Sequence, residues 1–228
     1  MSGLETWVVI PVKALSGAKR RLAPVLPPAA RARLVLTMLE DVVGALVHMA
    51  GVARVVVVTP DGRVADVARR RGADIVRETR ARGLNAAVRT GLTHGRAHGA
   101  ARALVLPADV PLATSAELAT VLLAAGATAH ARVTLVPSGD GEGTNALLLE
   151  PPDALDPSFG PGSFVRHLAR AVARRLDTQV LQLPGLGADI DEPRDLARLA
   201  GRERYAFLRA YVSGLVDGGH PGLLEKES

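Results

Sequence analysis

Short apolar runs alternate with longer amphipathic stretches through the first half of this chain. The segments Trp7–Val12, Arg54–Thr59 and Ala103–Leu106 have the largely aliphatic, β-branched character of strands that are buried on both faces. The stretches between them carry apolar residues at helical spacing. This β-α-β-α-β order predicts an α/β fold with three layers, in which helices cover both faces of a mostly parallel central sheet.

Proline and glycine mark where the helices of this half begin and end. Pro27-Pro28 is a helix start signal, and Gly72 is a helix stop signal. With these boundaries the pattern predicts helices over residues 28–46, 63–71 and 84–98, and a short strand over 73–76.

The second half is less regular. Val133–Val136 and Ala146–Leu149 flank the glycine-rich turn Ser138–Gly143, which predicts a hairpin-like insertion near the sheet. Further along, the pattern predicts a helix after residue 163, a strand over 179–183 and a helix opened by Asp191-Glu192-Pro193.

A chain of 228 residues is long enough to bury one substantial core, and we expect a single domain over residues 1–217. Residues 218–228 offer little to bury and are expected to fray. Apolar side chains do recur after Gly201, and they include Tyr205, Phe207, Leu208, Tyr211 and Leu215. They predict either a closing helix or a contact in a homodimer.

The charge balance favours small anionic substrates. Lys and Arg number 28 against 23 Asp and Glu, but the excess is spread through the helices and only 3% of residues are aromatic, so base-stacking platforms are nearly absent. We therefore expect no nucleic-acid partner. The absence of cysteine excludes thiolate metal sites and thiol nucleophiles. With no leader-like segment and no apolar run of membrane-spanning length, we expect a cytoplasmic protein without membrane contact.

A loop with four basic side chains follows the first strand. Lys13, Lys19, Arg20 and Arg21 lie within ten residues of Pro11. Cationic side chains and turn amides that converge at the carboxyl end of a strand suit a phosphate group. Taken alone, the same charges also fit an ordinary solvated loop.

Asp109 directly follows another strand, between Pro107 and Pro111. Ligands of open α/β sheets bind at this edge. Thr114 or Ser115 is better placed to cap the next helix, which leaves Asp109 available to bind a metal.

Magnesium usually takes one or two protein carboxylates, so a second source is expected. Asp189 and Asp191 supply it, because alternate side chains of an extended segment share a face. Asp191 also fits a cap before Glu192-Pro193, and in that case Asp189 is the metal ligand.

Three glycine-containing segments combine backbone freedom with polar side chains. Gly83-Leu84-Asn85 opens a helix after the basic residues Arg77, Arg80 and Arg82, and Asn85 could pair with a nucleobase or ribose, or serve only as a cap. Gly143-Thr144-Asn145 and Phe159–Ser163 each carry a hydroxyl, and the second lies at a helix start, where amides and Ser163 could hold a carboxylate or phosphate, although most such turns are structural. The chain lacks Gly-x-Gly-x-x-Gly, Walker and Gly-x-Ser-x-Gly motifs, which removes the main support for dinucleotide, P-loop and serine hydrolase functions.

These motifs together resemble one family. The segments that carry the resemblance are Ile10–Lys19 with Arg21–Pro24, Leu106–Pro111, Gly143–Asn145, Phe159–Ser163 and Asp189–Asp191. In this order, and over the chain to about residue 200, they resemble the guanylyltransferases that make the phosphodiester precursor of the deazaflavin coenzyme F-420. The resemblance implies a nucleotidyltransferase fold like that of the molybdenum-cofactor guanylyltransferases.

The resemblance also implies a reaction. GTP would react with a phosphorylated three-carbon acid to give a guanylylated acid and pyrophosphate. Family members use phosphoenolpyruvate, 2-phospho-L-lactate or 3-phospho-D-glycerate, and the Ala- and Arg-rich composition favours phosphoenolpyruvate.

Carried onto this chain, the resemblance implies roles for particular residues. Asp109, with Asp189 and Asp191, would ligate Mg²⁺. Thr144, Gly160 and Ser163 would bind the acid substrate. Lys13 and Lys19, with Arg21, would face the GTP phosphates, and Gly83 and Asn85 would lie beside the nucleotide. Arg20 departs from the family pattern, which has a small polar residue there.

Two alternatives stay open. A nucleotidyltransferase of the same fold could act on another acceptor, such as a molybdopterin or a sugar phosphate. A non-catalytic module could bind GTP with the same basic loop, although such a module has less need of two metal carboxylates.

Overall fold

A computed structural model describes residues 6–78, 82–124 and 131–216 of the chain. Its strands are β1 (Thr6–Pro11), β2 (Val52–Thr59), β3 (Asp74–Arg77), β4 (Arg102–Val105), β5 (Arg132–Pro137), β6 (Thr144–Glu150) and β7 (Asp177–Val180). They form a sheet of order β3-β2-β1-β4-β6-β5-β7.

The helices alternate with these strands. The α-helices are α1 (Pro28–Leu46), α2 (Gly62–Arg70), α3 (Leu84–Ala97), α4 (Ser115–Leu123), α5 (Ser163–Ala173), α6 (Pro184–Gly187), α7 (Ala197–Ala200) and α8 (Arg209–Val216). Short 3-10 helices span Leu15–Gly17, Arg20–Leu22, Pro193–Leu196 and Glu203–Leu208. Among the described residues, no helix is both long enough and apolar enough to cross a membrane.

The sheet is mostly parallel, as predicted. β1 pairs in parallel with β2 and β4, β2 with β3, and β5 with β7, whereas β6 runs antiparallel to β4 and β5. The predicted hairpin is therefore present, but its description as an insertion near the sheet was wrong. Its second strand lies inside the sheet between β4 and β5, because Ala146–Leu149 are apolar on both faces and need cover from both layers.

Alternate residues of β1 reach the two helical layers. Val8 and Ile10 join a core with α1, α2 and α4, whereas Trp7 and Val9 join a core with α3 and part of α5. Two buried cores on opposite faces of one sheet confirm the three-layer prediction.

Most helix boundaries lie where proline, glycine and capping residues predicted them. α1 begins at Pro28, and α2 is capped by Asp61, whose Oδ1 accepts a hydrogen bond from the Arg63 amide at 2.9 Å. Gly72 follows α2 with a φ of 88°, which only glycine adopts readily. The strand predicted over 179–183 is displaced, because the pairing of β5 with β7 begins at Asp177 and ends at Val180.

The segment after Gly201 closes the fold. Tyr205 and Leu208 are fully buried, and the Tyr205 hydroxyl donates to Asp41 of α1 at 2.7 Å. Burial and the neighbouring Asp41 carboxylate raise the pKa of Tyr205. The burial of Tyr205 and Leu208 supports a closing role for these two side chains, whereas Tyr211 is 38% exposed and the homodimer stays a prediction. The frayed tail predicted over 218–228, and Arg80 of the basic run, lie outside the described residues.

Candidate active site

The strand directions bring the sequence-predicted residues to one edge of the sheet. β1 and β4 are parallel, so the basic loop after Pro11 and the turn that carries Asp109 leave the sheet at the same edge. β6 is antiparallel to β4, so its first residue, Thr144, begins at that edge too. Asp109 and Thr144 are 35 positions apart in sequence, yet both lie beside the same strand ends.

Lys19 lies at the centre of the acidic residues. Its Nζ is 2.6 Å from Oδ2 of Asp109 and 3.5 Å from Oδ1 of Asp191, and its side chain is only 8% exposed. The backbone at Lys19 is left-handed, with a φ of 46°, which turns the side chain away from the path of the loop. Burial lowers the pKa of Lys19, but Asp109, Asp191 and Asp189 outweigh that effect and raise it, so the ammonium stays charged.

Asp189 is held beside this cluster by Asn145. The Asn145 amide donates to Asp189 Oδ1 at 3.1 Å and to the Leu186 carbonyl at 2.9 Å. The next amide, that of Ile190, donates to the Asp109 carbonyl at 2.9 Å, which ties the two acidic segments together. Burial, with the nearby Asp109 charge, raises the pKa of Asp189 against the opposing hydrogen bond from Asn145.

Asp191 is not a helix cap. Glu192 caps the 3-10 helix Pro193–Leu196 together with Asp195, which accepts hydrogen bonds from the amides of Asp191 and Glu192. The Asp191 carboxylate instead pairs with Arg21 at 3.0 Å and with Lys19. Asp109 is likewise free of capping, because Thr114 caps α4 in a capping box with Glu117. Both acidic segments therefore direct carboxylates toward the basic loop.

The chemistry of these donors fits a hard cation. Carboxylate oxygens are the ligands that Mg²⁺ takes, and the buried ammonium of Lys19 shows that the site stabilises positive charge. Among residues 6–78, 82–124 and 131–216, however, no group of three His, Cys, Asp or Glu residues is arranged to hold a metal ion. The carboxylates are thus gathered by Lys19, and Mg²⁺ ligation by Asp109, Asp189 and Asp191 stays a prediction.

A cavity of about 480 Å³ opens beside the basic loop. Its lining combines the end of β1, the residue after β3 and the start of α3, and includes Lys13, Arg20, Glu78, Gly83 and Leu84. Burial raises the pKa of Glu78 despite the nearby charge of Arg82. Lys13 lies where the sequence placed a phosphate-facing cation, and Arg20, the departure from the family pattern, adds a second charge to the same wall.

Asn85 has a different partner from the one predicted. Its Nδ2 donates to the Phe159 carbonyl at 3.0 Å, and its Oδ1 accepts from the Phe159 amide at 2.7 Å. In this structure the side-chain amide therefore pairs with the backbone of Phe159, and it is not available to a ligand in the cavity. The effect is to fasten the Phe159–Ser163 loop to the start of α3, directly beside Gly83 and Leu84 of the cavity wall.

Thr144 and Ser163 come together as a buried hydroxyl pair. Their oxygens are 3.3 Å apart, and the two residues are 4% and 1% exposed. Gly160, with a φ of 121°, begins the turn beside them, and its carbonyl accepts from the Ser163 amide at 3.0 Å. The Phe164 amide donates to the Glu142 carbonyl at 3.2 Å, so the start of α5 offers fewer amides to a ligand than the sequence suggested.

His167 is a site residue that the sequence reasoning missed. It is fully buried, and its Nδ1 lies 3.0 Å from the Thr144 hydroxyl oxygen. The available signal was its position four residues after Ser163, which places both side chains on one face of α5. Glu78 was missed as well, although it directly follows the basic residue Arg77, and Asn145 was part of the Gly143-Thr144-Asn145 motif but was given no role in the site.

These groups form a continuous path. The cavity shares the basic loop with Lys19, Lys19 touches Asp109 and Asp191, and Asn145 links Asp189 to the strand that carries Thr144. Asn85 then connects the hydroxyl loop back to the cavity wall. A site of this form places cations, a cluster of carboxylates and neutral hydroxyls one after another in space.

Residues 6–213 match a protein family described as guanylyl transferase CofC like. The chain belongs to this family. It is 46% identical to the phosphoenolpyruvate guanylyltransferase of Rubrobacter xylanophilus, over 91% of this chain and 100% of the relative. It is 41% identical to the protein of the same name from Sphaerobacter thermophilus, over 87% of this chain and 94% of the relative.

The fold extends to more distant proteins. A solved structure from Desulfovibrio desulfuricans, assigned as a nucleotide-diphospho-sugar transferase, superposes with a TM-score of 0.72 at 17% identity, covering 95% of this chain and 97% of that one. The guanylyl transferase family and the nucleotidyltransferase type of fold are thus confirmed. The roles of individual residues stay predictions.

Proposed function

We propose that this chain transfers the guanylyl group of GTP to the phosphate of phosphoenolpyruvate and releases pyrophosphate. The acceptor is taken from the names of the CofC-like relatives, which are phosphoenolpyruvate guanylyltransferases at 46% and 41% identity. The observation that carries the proposal is the path from the cationic cavity, through the Lys19 cluster, to the Thr144 and Ser163 hydroxyls. The product would be the guanylylated precursor used in coenzyme F-420 biosynthesis.

The reaction needs charge control more than proton transfer. A phosphate oxygen of phosphoenolpyruvate, already anionic, attacks the α-phosphorus of GTP, the bond to the bridging oxygen of the β-phosphate breaks, and pyrophosphate leaves with that electron pair. The barrier comes from bringing two anions together and from charge that grows on the leaving group. Positioning and preorganised positive charge are therefore the main contributions open to the protein.

Lys13 and Arg20 line the cavity and are placed to hold the triphosphate. Arg21, paired with Asp191, and Lys19, paired with Asp109, belong to the same basic loop as these two cations. Mg²⁺ held by Asp109 with Asp189 and Asp191 would supply further neutralisation of phosphate oxygens. Lys19, whose ammonium pairs with Asp109 and Asp191, would neutralise these carboxylates together with the ion.

Glu78 is suited to recognise the base. The Watson–Crick edge of guanine presents two adjacent N–H donors, at N1 and N2, that a single carboxylate can accept together. Adenine and cytosine present an acceptor at one of the corresponding positions. Glu78 lines the same cavity as the basic loop, Gly83 and Leu84, and its amide donates a hydrogen bond to the Thr59 carbonyl at 3.2 Å.

A substrate panel tests the proposal. Purified protein is mixed with Mg²⁺, one of GTP, CTP or ATP, and one of phosphoenolpyruvate, 2-phospho-L-lactate or 3-phospho-D-glycerate, and the products are read by mass spectrometry and pyrophosphate release. We expect the highest turnover with GTP and phosphoenolpyruvate. Turnover only with another acid would replace the acceptor, and no pyrophosphate with any pair would support the non-catalytic alternative.

A further inference from the structure

His167 lies under the hydroxyl pair without facing the cavity. It is fully buried on α5, and its ring packs edge-on against Phe159 at 5.1 Å between centroids and 71° between planes. Each ring nitrogen takes part in one hydrogen bond: Nε2 accepts from the Ser158 amide, and Nδ1 pairs with the Thr144 hydroxyl. A buried histidine whose two ring nitrogens are both hydrogen-bonded is held in one ring orientation.

The Ser158 amide fixes which nitrogen carries the hydrogen. This N–H points at Nε2 from 2.8 Å, and a backbone amide can only donate, so Nε2 must be the accepting nitrogen. The hydrogen of the neutral ring is then on Nδ1. Nδ1 donates it to the Thr144 oxygen at 3.0 Å.

The ring stays neutral in its surroundings. Burial lowers the pKa of His167 to about 4, and the charges of Arg170 and Arg166 act in the same direction, whereas Asp156 opposes them. The tautomer set by Ser158 is therefore the form present at neutral pH.

Counting hydrogens shows what this tautomer does to the two hydroxyls. Nδ1, Thr144 and Ser163 carry one hydrogen each, and the contacts among the three groups consume two of them. One hydroxyl hydrogen is left without an acceptor among these three groups, whichever way the Thr144–Ser163 bond runs. With the opposite tautomer, Nδ1 would accept from Thr144, Ser163 would donate to Thr144, and no hydroxyl hydrogen would be left over.

We propose that His167 is a positioning residue that makes the Thr144–Ser163 pair a hydrogen-bond donor to the anionic acid substrate. A hydroxyl hydrogen left over in this way can be donated to a carboxylate or phosphate oxygen, whereas lone pairs alone repel it. Ser158 is the second member of this arrangement, acting through its backbone. The inference rests on the proposed function, because it takes these hydroxyls as the acid subsite.

Two substitutions separate the two hydrogen bonds of the ring. The amide nitrogen of His167→Asn can replace Nδ1 as donor to Thr144, and the amide oxygen of His167→Gln can replace Nε2 as acceptor from Ser158. We expect His167→Gln to raise the KM for phosphoenolpyruvate at least tenfold, with the KM for GTP unchanged. We expect His167→Asn to have a KM for phosphoenolpyruvate close to that of the wild type. His98→Gln, at an exposed position directly after α3, is the matched control and should change neither constant.

Direct binding and spectroscopy complete the test. Calorimetric titration of phosphoenolpyruvate should show weaker binding to His167→Gln, and nitrogen-15 NMR of the wild-type imidazole should show the Nδ1–H tautomer at pH 7, even if both variants fold poorly. A hydrogen on Nε2, or an unchanged KM for the acid in a folded His167→Gln, overturns the inference. If the wild type itself turns over no phospho-acid, the proposed function fails instead.

Discussion

Lys19 Nζ lies 2.6 Å from Asp109 Oδ2, in a pair that joins residues 90 positions apart. The ammonium also approaches Asp191 and is almost fully shielded from solvent. A buried charge is tolerated only with partners of opposite sign, so each partner determines the state of the other. Lys19 thus holds in place the carboxylates that the sequence predicts as metal ligands.

Replacing Lys19 should make the stability of the protein depend on divalent cations. In Lys19→Met the carboxylates of Asp109, Asp189 and Asp191 lose their common cation and repel one another. We expect a lower melting temperature without metal and a larger rise on adding Mg²⁺ or Mn²⁺ than the wild type shows, together with low transferase activity. Lys13→Met is the control, since Lys13 lines the cavity instead of this cluster. Equal metal responses in the two variants would argue against a cation site here.

Asp109→Asn should abolish most turnover while the protein still folds. The amide keeps the shape of the side chain and Asp191 still faces Lys19, but the site loses a negative charge. We expect at least a hundredfold loss of pyrophosphate release, on the order of 3 kcal/mol in transition-state stabilisation. Circular dichroism establishes that the variant is folded. Activity within a few-fold of wild type would remove Asp109 from the proposed metal site.

Glu78→Gln should lower the catalytic efficiency of the enzyme with GTP. The amide offers one acceptor where the carboxylate offers two, and a lost charged hydrogen bond costs about 1.5–3 kcal/mol, equivalent to roughly a 10- to 150-fold drop in kcat/KM. The drop should appear with GTP, with the KM for phosphoenolpyruvate unchanged. Glu203→Gln, an exposed position remote in sequence from the cavity residues, is the control. Unaltered GTP kinetics in Glu78→Gln would place the base elsewhere.

The buried neutral His167 should make the fold sensitive to acid. Its pKa of about 4 in the folded chain lies below the ordinary value of 6.5, so at pH 5 the unfolded chain binds a proton that the folded chain does not. The free energy of unfolding should therefore fall as the pH drops below the unfolded value, by about 2 kcal/mol from this group between pH 7 and 5. Urea unfolding of wild type and His167→Asn at both pH values measures this contribution, and equal losses in the two proteins would contradict it.

The Tyr205 hydroxyl should contribute modestly to stability. Tyr205→Phe removes its hydrogen bond to Asp41, but Asp41 retains its ion pair with Arg204 at 2.6 Å, so no carboxylate is left unpartnered. We expect a loss of about 1 kcal/mol in the free energy of unfolding with unchanged transferase kinetics. A change in the kinetics would show that the closing segment affects the site.

Local signals in the sequence predicted the fold well. Hydrophobic period and the proline and glycine signals predicted the layers, β1, α1 and α2, because these features depend on neighbours a few residues apart. The place of β6 in the sheet was missed, since its pairing with β4 joins residues more than 40 positions apart.

The sequence indicated which residues belong to the candidate site, but not which groups each of them contacts. The sequence indicated Lys19 as a phosphate-facing cation, whereas in the structure its ammonium pairs with Asp109, which is 90 positions away in sequence. Asn85 has the same donor and acceptor whether it faces a base or a backbone, and only the approach of Phe159 decides between them. For Asp191, the capping role went to Glu192 because Asp195 completes the capping box there.

The most direct measurement follows the phosphate oxygens of the acceptor. Phosphoenolpyruvate labelled with oxygen-18 in its phosphate is incubated with GTP, Mg²⁺ and the protein, and both products are analysed by mass spectrometry. If an oxygen of the acid attacks the α-phosphorus, all of the label stays in the guanylylated acid and the pyrophosphate carries none. Label in the pyrophosphate, or no guanylylated acid at all, would contradict guanylyl transfer to phosphoenolpyruvate.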